Sequence, residues 1–255
     1  MSETPDKTPK QKGIADICIL VDITGSMQPC MNALHDNISA FVNTLTGTDA
    51  NGGTLLKDWR ACICGYRDFV YEPQWGREHM VMNPFVRDAE QLKNQLAAMK
   101  AEGGGDEPES LLDALYVIMS RGKTAKGAEP DAGKWRYASD AVRCIVVFTD
   151  ASFHPVLTEL SGGGGGDVQS IIQLLQQERV ALHLFAPAMA CYGELSAADK
   201  CVWHDIGDPE AILNDPKAAV NALRDYTSDM NNFTETLKAL AKTITQTAAG
   251  EADEL

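Results

Sequence analysis

Residues 14–21 read Ile-Ala-Asp-Ile-Cys-Ile-Leu-Val, an apolar run broken only by Asp16. A run without polar alternation predicts a strand covered on both faces, the situation of a strand inside a parallel sheet. The same signature returns at 59–66, at 141–148 and at 180–185, more weakly at 201–206, with a short edge segment at 79–82. Between these runs the apolar residues fall at helical spacing. Met31, Leu34, Ile38, Phe41, Val42 and Leu45 share one face, as do Ala89, Leu92, Leu96 and Met99 within 88–100. Further helices are predicted over 107–120, 168–178 and 230–247. Strands alternating with helices predict an α/β, doubly wound, mostly parallel sheet of about six strands. One short antiparallel strand lies at its edge, helices flank both faces, and the arrangement is Rossmann-like. The domain is placed at 14–247, with a disordered polar arm at 1–13 and a frayed acidic tail at 248–255.

Charge narrows the partners. The chain carries 22 Lys plus Arg against 36 Asp plus Glu, a net −14. Such an excess repels phosphate backbones and anionic lipid, so neither nucleic acid nor membrane is expected as a partner. It suits a cation site. The seven cysteines are an odd number without framework spacing. Cys18, Cys62, Cys64 and Cys144 sit in strand-like runs and read as small buried hydrophobes in a reducing compartment, with the cytoplasm as the default. Cys62 and Cys64 share a strand face, but no zinc set is evident around them in the sequence.

In an open parallel sheet, ligands bind beyond the carboxyl ends of the strands, so the loops there matter most. After the first strand comes Asp22-Ile23-Thr24-Gly25-Ser26-Met27, and after the strand at 141–148 comes Thr149-Asp150-Ala151-Ser152-Phe153-His154. Ahead of the helix at 107–120 lies Gly103-Gly104-Gly105-Asp106-Glu107-Pro108-Glu109. Asp22, Thr24 and Ser26 alternate along a turn that Gly25 allows to bend, so their oxygens point one way, and Asp150 approaches from another strand's end. Oxygen-only ligation with water completing the shell is the habit of Mg²⁺; Mn²⁺ and Ca²⁺ accept similar sets. Each loop also has a plainer reading: Asp22 to Ser26 as a helix-capping turn, and Asp106 and Glu107 as acidic residues that complement a helix dipole ahead of Pro108.

Asp22-x-Thr24-x-Ser26 after a buried strand resembles the metal-ion-dependent adhesion site of von Willebrand factor A domains. Phe148-Thr149-Asp150-Ala151 is similar to that family's third loop, and His154 recurs there in many intracellular members. Gly103-Gly104-Gly105-Asp106-x-Pro108-Glu109 resembles the second loop of a subset, and Gly65-Tyr66-Arg67-Asp68 a segment of bacterial and kinase-associated members. The resemblance implies a divalent ion, Mg²⁺ first, on Asp22, Thr24, Ser26 and Asp150, with Asp106 and Glu107 near the position of the family's second-loop Thr. It also implies a partner-binding rim of Gly25, Met27, Arg67, Asp68, Ser152 and His154. A carboxylate in place of that Thr would lower the residual charge of the ion by one unit if it coordinates directly. The site would then be weaker toward acidic partners or structural; otherwise the carboxylate would hold the metal's waters.

The implied function is a metal-dependent protein-binding module that bridges to a partner's acidic side chain, a scaffold or adaptor in an intracellular multi-protein system such as metal insertion, stress response or phage defence. Two alternatives stand beside it. One is a metal-dependent phosphatase, for which Asp22 would be the nucleophile but Thr24 stands where a second carboxylate is needed. The other is a subunit whose metal is purely structural.

Overall fold

The computed structural model describes residues 13–47, 56–71, 76, 78–104, 107–215 and 217–250. Six strands form one sheet: β1 (Ile14–Asp22), β2 (Asp58–Tyr66), β3 (Met80–Val81), β4 (Val142–Phe148), β5 (Val180–Pro187) and β6 (Cys201–Ile206), in the order β3-β2-β1-β4-β5-β6. All neighbours pair in parallel except β3, which runs antiparallel to β2 at the edge. The α/β class and the doubly wound, mostly parallel sheet are as the sequence predicts.

Among the described residues eight α-helices cover the sheet: α1 (Gln28–Leu45), α2 (Ala89–Ala97), α3 (Leu111–Ser120), α4 (Val168–Glu178), α5 (Ala190–Leu195), α6 (Pro209–Asn214), α7 (Lys217–Ser228) and α8 (Met230–Ala249). One apolar layer joins β1 and β4 residues such as Ile17, Ile19 and Val146 to α1, α2, α7 and α8 through Phe41, Leu96, Leu223 and Phe233. The other joins Cys18, Leu20, Ile145 and Val147 to α3, α4 and α5 through Leu115, Ile171 and Tyr192. Successive residues of β1 feed opposite layers, the strand period of two acting inside a run that has no polar face. No described helix is long and apolar enough to cross a membrane.

Three local differences from the sequence reading have physical causes. The helix predicted from Glu107 begins at Leu111. Residues before it are held by tertiary bonds instead: Glu109 N donates to Ser152 O at 3.0 Å and His154 N to Glu109 O at 2.9 Å. The C-terminal helix runs on to Ala249 and is capped by Gly250 at φ 79°, so the first residues assigned to the acidic tail belong to it. Positions 1–12 and 251–255, which carry the rest of the arm and tail, lie outside the described residues. Helices α5, α6 and α7 were not marked by the sequence periodicity.

The lone acid of the first strand is also accounted for. Asp16 is fully buried and receives a two-pronged bond from Arg60, Nε to Oδ1 at 2.8 Å and Nη2 to Oδ2 at 2.7 Å. Arg136 adds its backbone N–H at 2.8 Å and Nη1 at 3.0 Å. Close to the start of β1, Gly13 N donates to Ala248 O at 2.8 Å, joining the two ends of the described domain.

Candidate metal centre at the sheet edge

The strand order reverses between β1 and β4: β2 and β3 lie on one side of that pair, β5 and β6 on the other. That switch point is where an open α/β sheet leaves a crevice. Asp22 ends β1, and Thr149 and Asp150 follow β4, with Val21 paired to Phe148 in the ladder. Parallel register therefore brings the first and third loops together.

Asp22 is fully buried. Its Oδ1 accepts from the Thr24 backbone N–H at 2.9 Å and from the Thr24 hydroxyl at 2.7 Å. Its Oδ2 accepts from the Thr149 hydroxyl at 3.0 Å. Burial, then the nearby Asp150 carboxylate, push the Asp22 pKa up to about 7 despite these three bonds. Asp150 is 2% exposed and is itself raised by burial, with the Ser26 hydroxyl bonding it in the opposite sense. Glu107 is exposed, and its carboxylate is reached by the Ser152 backbone N–H at 3.4 Å. Partial desolvation and the Asp150 charge raise its pKa.

The protons of this cluster have a direction. A hydroxyl has one proton and two lone pairs. Thr24 and Thr149 give theirs to Asp22, and Ser26 bonds Asp150. What each hydroxyl has left to offer is lone pairs. Three hydroxyls and the carboxylates of Asp22 and Asp150 thus form an acceptor-rich cluster of oxygens. Its donor set is all oxygen, and a hard divalent cation fits that chemistry.

The second loop closes the site from the side. Gly25 N donates to Gly103 O at 3.0 Å, tying first loop to second. A Cβ on Gly104, at φ +67°, would stand 2.8 Å from Thr24 Cβ and 3.0 Å from Glu109 Oε1. Glycine is required there by both backbone and space. Glu109, 3% exposed, therefore lies beside Gly104, across from Thr24, although the sequence reading passed over it. Thr149 was missed likewise. The signal for both was present: each lies inside a loop quoted for its resemblance, one residue from the acid chosen in the third loop and two from one chosen in the second. Asp106 lies outside the described residues.

The rim is smaller than the sequence suggests. Gly25 and Ser26 are exposed, and Ser152 and His154 half-buried. Met27 is 1% exposed and packs in the core, since it is the apolar residue that anchors the turn leading into α1. Arg67 is turned inward as a brace, donating to the carbonyls of Glu102, Glu78 and Lys100 at 2.9, 2.7 and 2.8 Å. Asp68 is 3% exposed; its Oδ1 accepts from Ser110 Oγ at 3.0 Å and Val70 N at 2.7 Å and lies 3.2 Å from His154 Nε2. Arg67 and Asp68 thus hold loops rather than face a partner, and His154 is the part of that network that reaches the surface.

The sequence matches no family model and no curated protein. Solved structures do match. One crystal form of the pilus adhesin SpaC from Lactobacillus rhamnosus GG aligns with 93% of this chain and 31% of that one, at 11% identity and TM-score 0.51. Its open conformation aligns over the same shares at 13% identity and TM-score 0.49. Proximal thread matrix protein 1 of the mussel byssus aligns with 90% of this chain and 46% of its own, at 12% identity and TM-score 0.45. The chain spans about a third of the adhesin's length, and at such identities the likeness is one of fold.

Proposed function

We propose that this chain is a von Willebrand factor A-type domain whose sheet edge holds a divalent cation, Mg²⁺ first, and binds an acidic side chain of a partner protein through it. Asp22, Thr24, Ser26, Thr149 and Asp150 would hold the ion, directly or through its waters, with Glu107 beside Asp150. The single observation that carries the reading is the proton arrangement at the strand ends. Hydroxyls that have spent their protons on Asp22 and Asp150 leave only acceptors, around a carboxylate whose pKa stands at about 7. A cation relieves that crowding. When bound, it supplies positive charge at an otherwise electronegative edge, which an acidic side chain can meet. This chain's own residues orient the donors and set the rim: Gly25, Ser26, Ser152 and His154 border the place where a partner would sit.

A scaffold or adaptor role in an intracellular multi-protein system goes with this reading, and so does the cytoplasm. All seven cysteines are free thiols, which suits a reducing compartment.

Calorimetric titration of the purified chain with Mg²⁺ tests the site, Asp150→Ala serving as the comparison. Saturable binding in the native chain and its loss in the variant is the expected result; equal heats from both would refute the assignment. Affinity capture from the native cell, with and without EDTA, tests the partner half. A partner retained equally in chelator would place binding elsewhere on the surface.

A further inference from the structure

The sheet brings a second set of ligands together away from its edge. Cys18 on β1 stands directly across the ladder from Cys62 on β2, and Cys64 follows two residues on along the same face. The three Sγ atoms lie within 4.8 Å of one another, and all three residues are buried. Cys62 Sγ and Cys64 Sγ are 3.9 Å apart. Three sulfurs each about 2.3 Å from one ion, the usual metal–thiolate length, stand roughly 4 Å from each other when the ion lies in their plane. The sequence reading found no partner for Cys62 and Cys64 because Cys18 is more than forty positions away; parallel register supplies it.

The surroundings favour a particular kind of ion. The cluster belongs to the apolar layer between the sheet and α3 and α4. Cys18 sits four residues before Asp22, about 13 Å along the strand, so the two sets are separate. The nearest cation is Arg121, whose Nη1 lies 3.3 Å from Cys62 Sγ. Its guanidinium also donates to Asn83 O at 3.0 Å and lies 4.5 Å over the Phe85 ring. Sulfhydryl hydrogen bonds from Cys18 and Cys62 pull the Cys64 thiol well below its ordinary range, with Arg121 adding to them, while burial pushes Cys18 and Cys62 up.

We propose that Cys18, Cys62 and Cys64 form a trigonal thiolate site for a single soft monovalent cation, Cu(I). Soft sulfur ligands select Cu(I) and Zn²⁺ among cellular metals, and structural Zn²⁺ takes four ligands where this cluster offers three. Each bond from a thiolate to copper replaces an S–H bond whose proton passes to solvent. With three thiolates, Cu(I) and the Arg121 guanidinium, the buried group carries a single net negative charge. Arg121, in contact with Cys62 Sγ, offsets part of the negative charge of the loaded site.

The test uses the full chain, refolded without oxygen in the presence of equimolar Cu(I), equimolar Zn²⁺, or both. One copper retained per chain after desalting, with three sulfur neighbours by X-ray absorption, is the expected result. Cys18→Ala and Cys64→Ala lose the retained copper, whereas Cys144→Ala, a buried cysteine of the opposite layer, keeps it. Circular dichroism verifies the fold of each variant. Should a variant fail to fold, the sulfur count in the native chain still decides. Copper held on oxygen or nitrogen, equal retention by Cys18→Ala, a folded native chain that retains no copper, or preference for Zn²⁺ in the mixture would each overturn the proposal.

Discussion

The Thr149 hydroxyl donates to Asp22 Oδ2 at 3.0 Å, across 127 positions of sequence. That one bond closes the ends of β1 and β4 over the crevice and fixes which way Thr149 presents its lone pairs. Thr149→Val keeps the shape and removes the donor. Orienting groups around a metal typically contribute 10- to 100-fold in affinity. We expect Mg²⁺ affinity to drop by roughly that factor in the variant, with the fold intact, as read by calorimetry alongside circular dichroism.

Gly104→Ala should damage the site through the backbone. The residue sits at φ +67°, and its new Cβ would stand 2.8 Å from Thr24 Cβ. Left-handed backbone costs a non-glycine residue about 1–2 kcal/mol, and the contact displaces Thr24 besides. Lower thermal stability together with weakened Mg²⁺ binding is expected. A loss of stability with unaltered metal affinity would mean that the second loop does not position Thr24.

Removing the charge at Glu107 separates the two roles considered for it. Glu107→Thr takes one negative charge from beside Asp150, whose field helps raise the Glu107 pKa. If Glu107 lies on the metal or its waters, Mg²⁺ affinity falls while the bound ion attracts an acidic peptide more strongly. Unchanged affinity for both would assign Glu107 to the helix approach alone.

The buried network at the opposite end of β1 predicts a large effect with no metal readout. Asp16→Ala leaves Arg60 and Arg136 without the carboxylate that receives bonds from both. Breaking a buried pair on one side costs about 3–5 kcal/mol. Urea unfolding should show a loss of that size; a loss under about 1 kcal/mol would mean that water reaches these groups.

His183 gives the chain a pH dependence. It is 6% exposed on β5, its ring 6.1 Å from that of His204, and burial followed by the His204 charge lowers its pKa from 6.5 to about 4. Between those values the unfolded chain binds a proton that the folded chain does not, so stability rises with pH across the interval and is lost as pH falls from 6.5 toward 4. The contribution is about 2–3 kcal/mol. His183→Phe should flatten the change in urea midpoint between pH 4 and pH 7; an equally steep change would assign the acid sensitivity to other groups.

Much of the fold is legible in the sequence because largely apolar runs such as residues 14–21 and 141–148, without polar alternation, fit a strand covered on both faces. Asp22 and Asp150 are legible for the same reason, as the first acids beyond those runs. What one dimension conceals is partnership across strands. Asp16 looks like an interruption until Arg60 and Arg136 are seen to meet it, and Cys18 looks like filler until register places it opposite Cys62. The start of α3 was misplaced because Glu109 pairs with the loop after β4, a tertiary bond that helical spacing cannot express. Met27 looked like rim because it follows exposed Ser26, yet the turn points it into the core.

The bond from Gly13 to Ala248 has a consequence for presentation. Both ends of the described domain leave from one place, beside the start of β1, and that strand carries the chain about 30 Å to Asp22. A covalent attachment at either end therefore grips the domain by its base. The edge that carries Asp22 lies at the far end of that strand, so the points where the described domain begins and ends stand away from it.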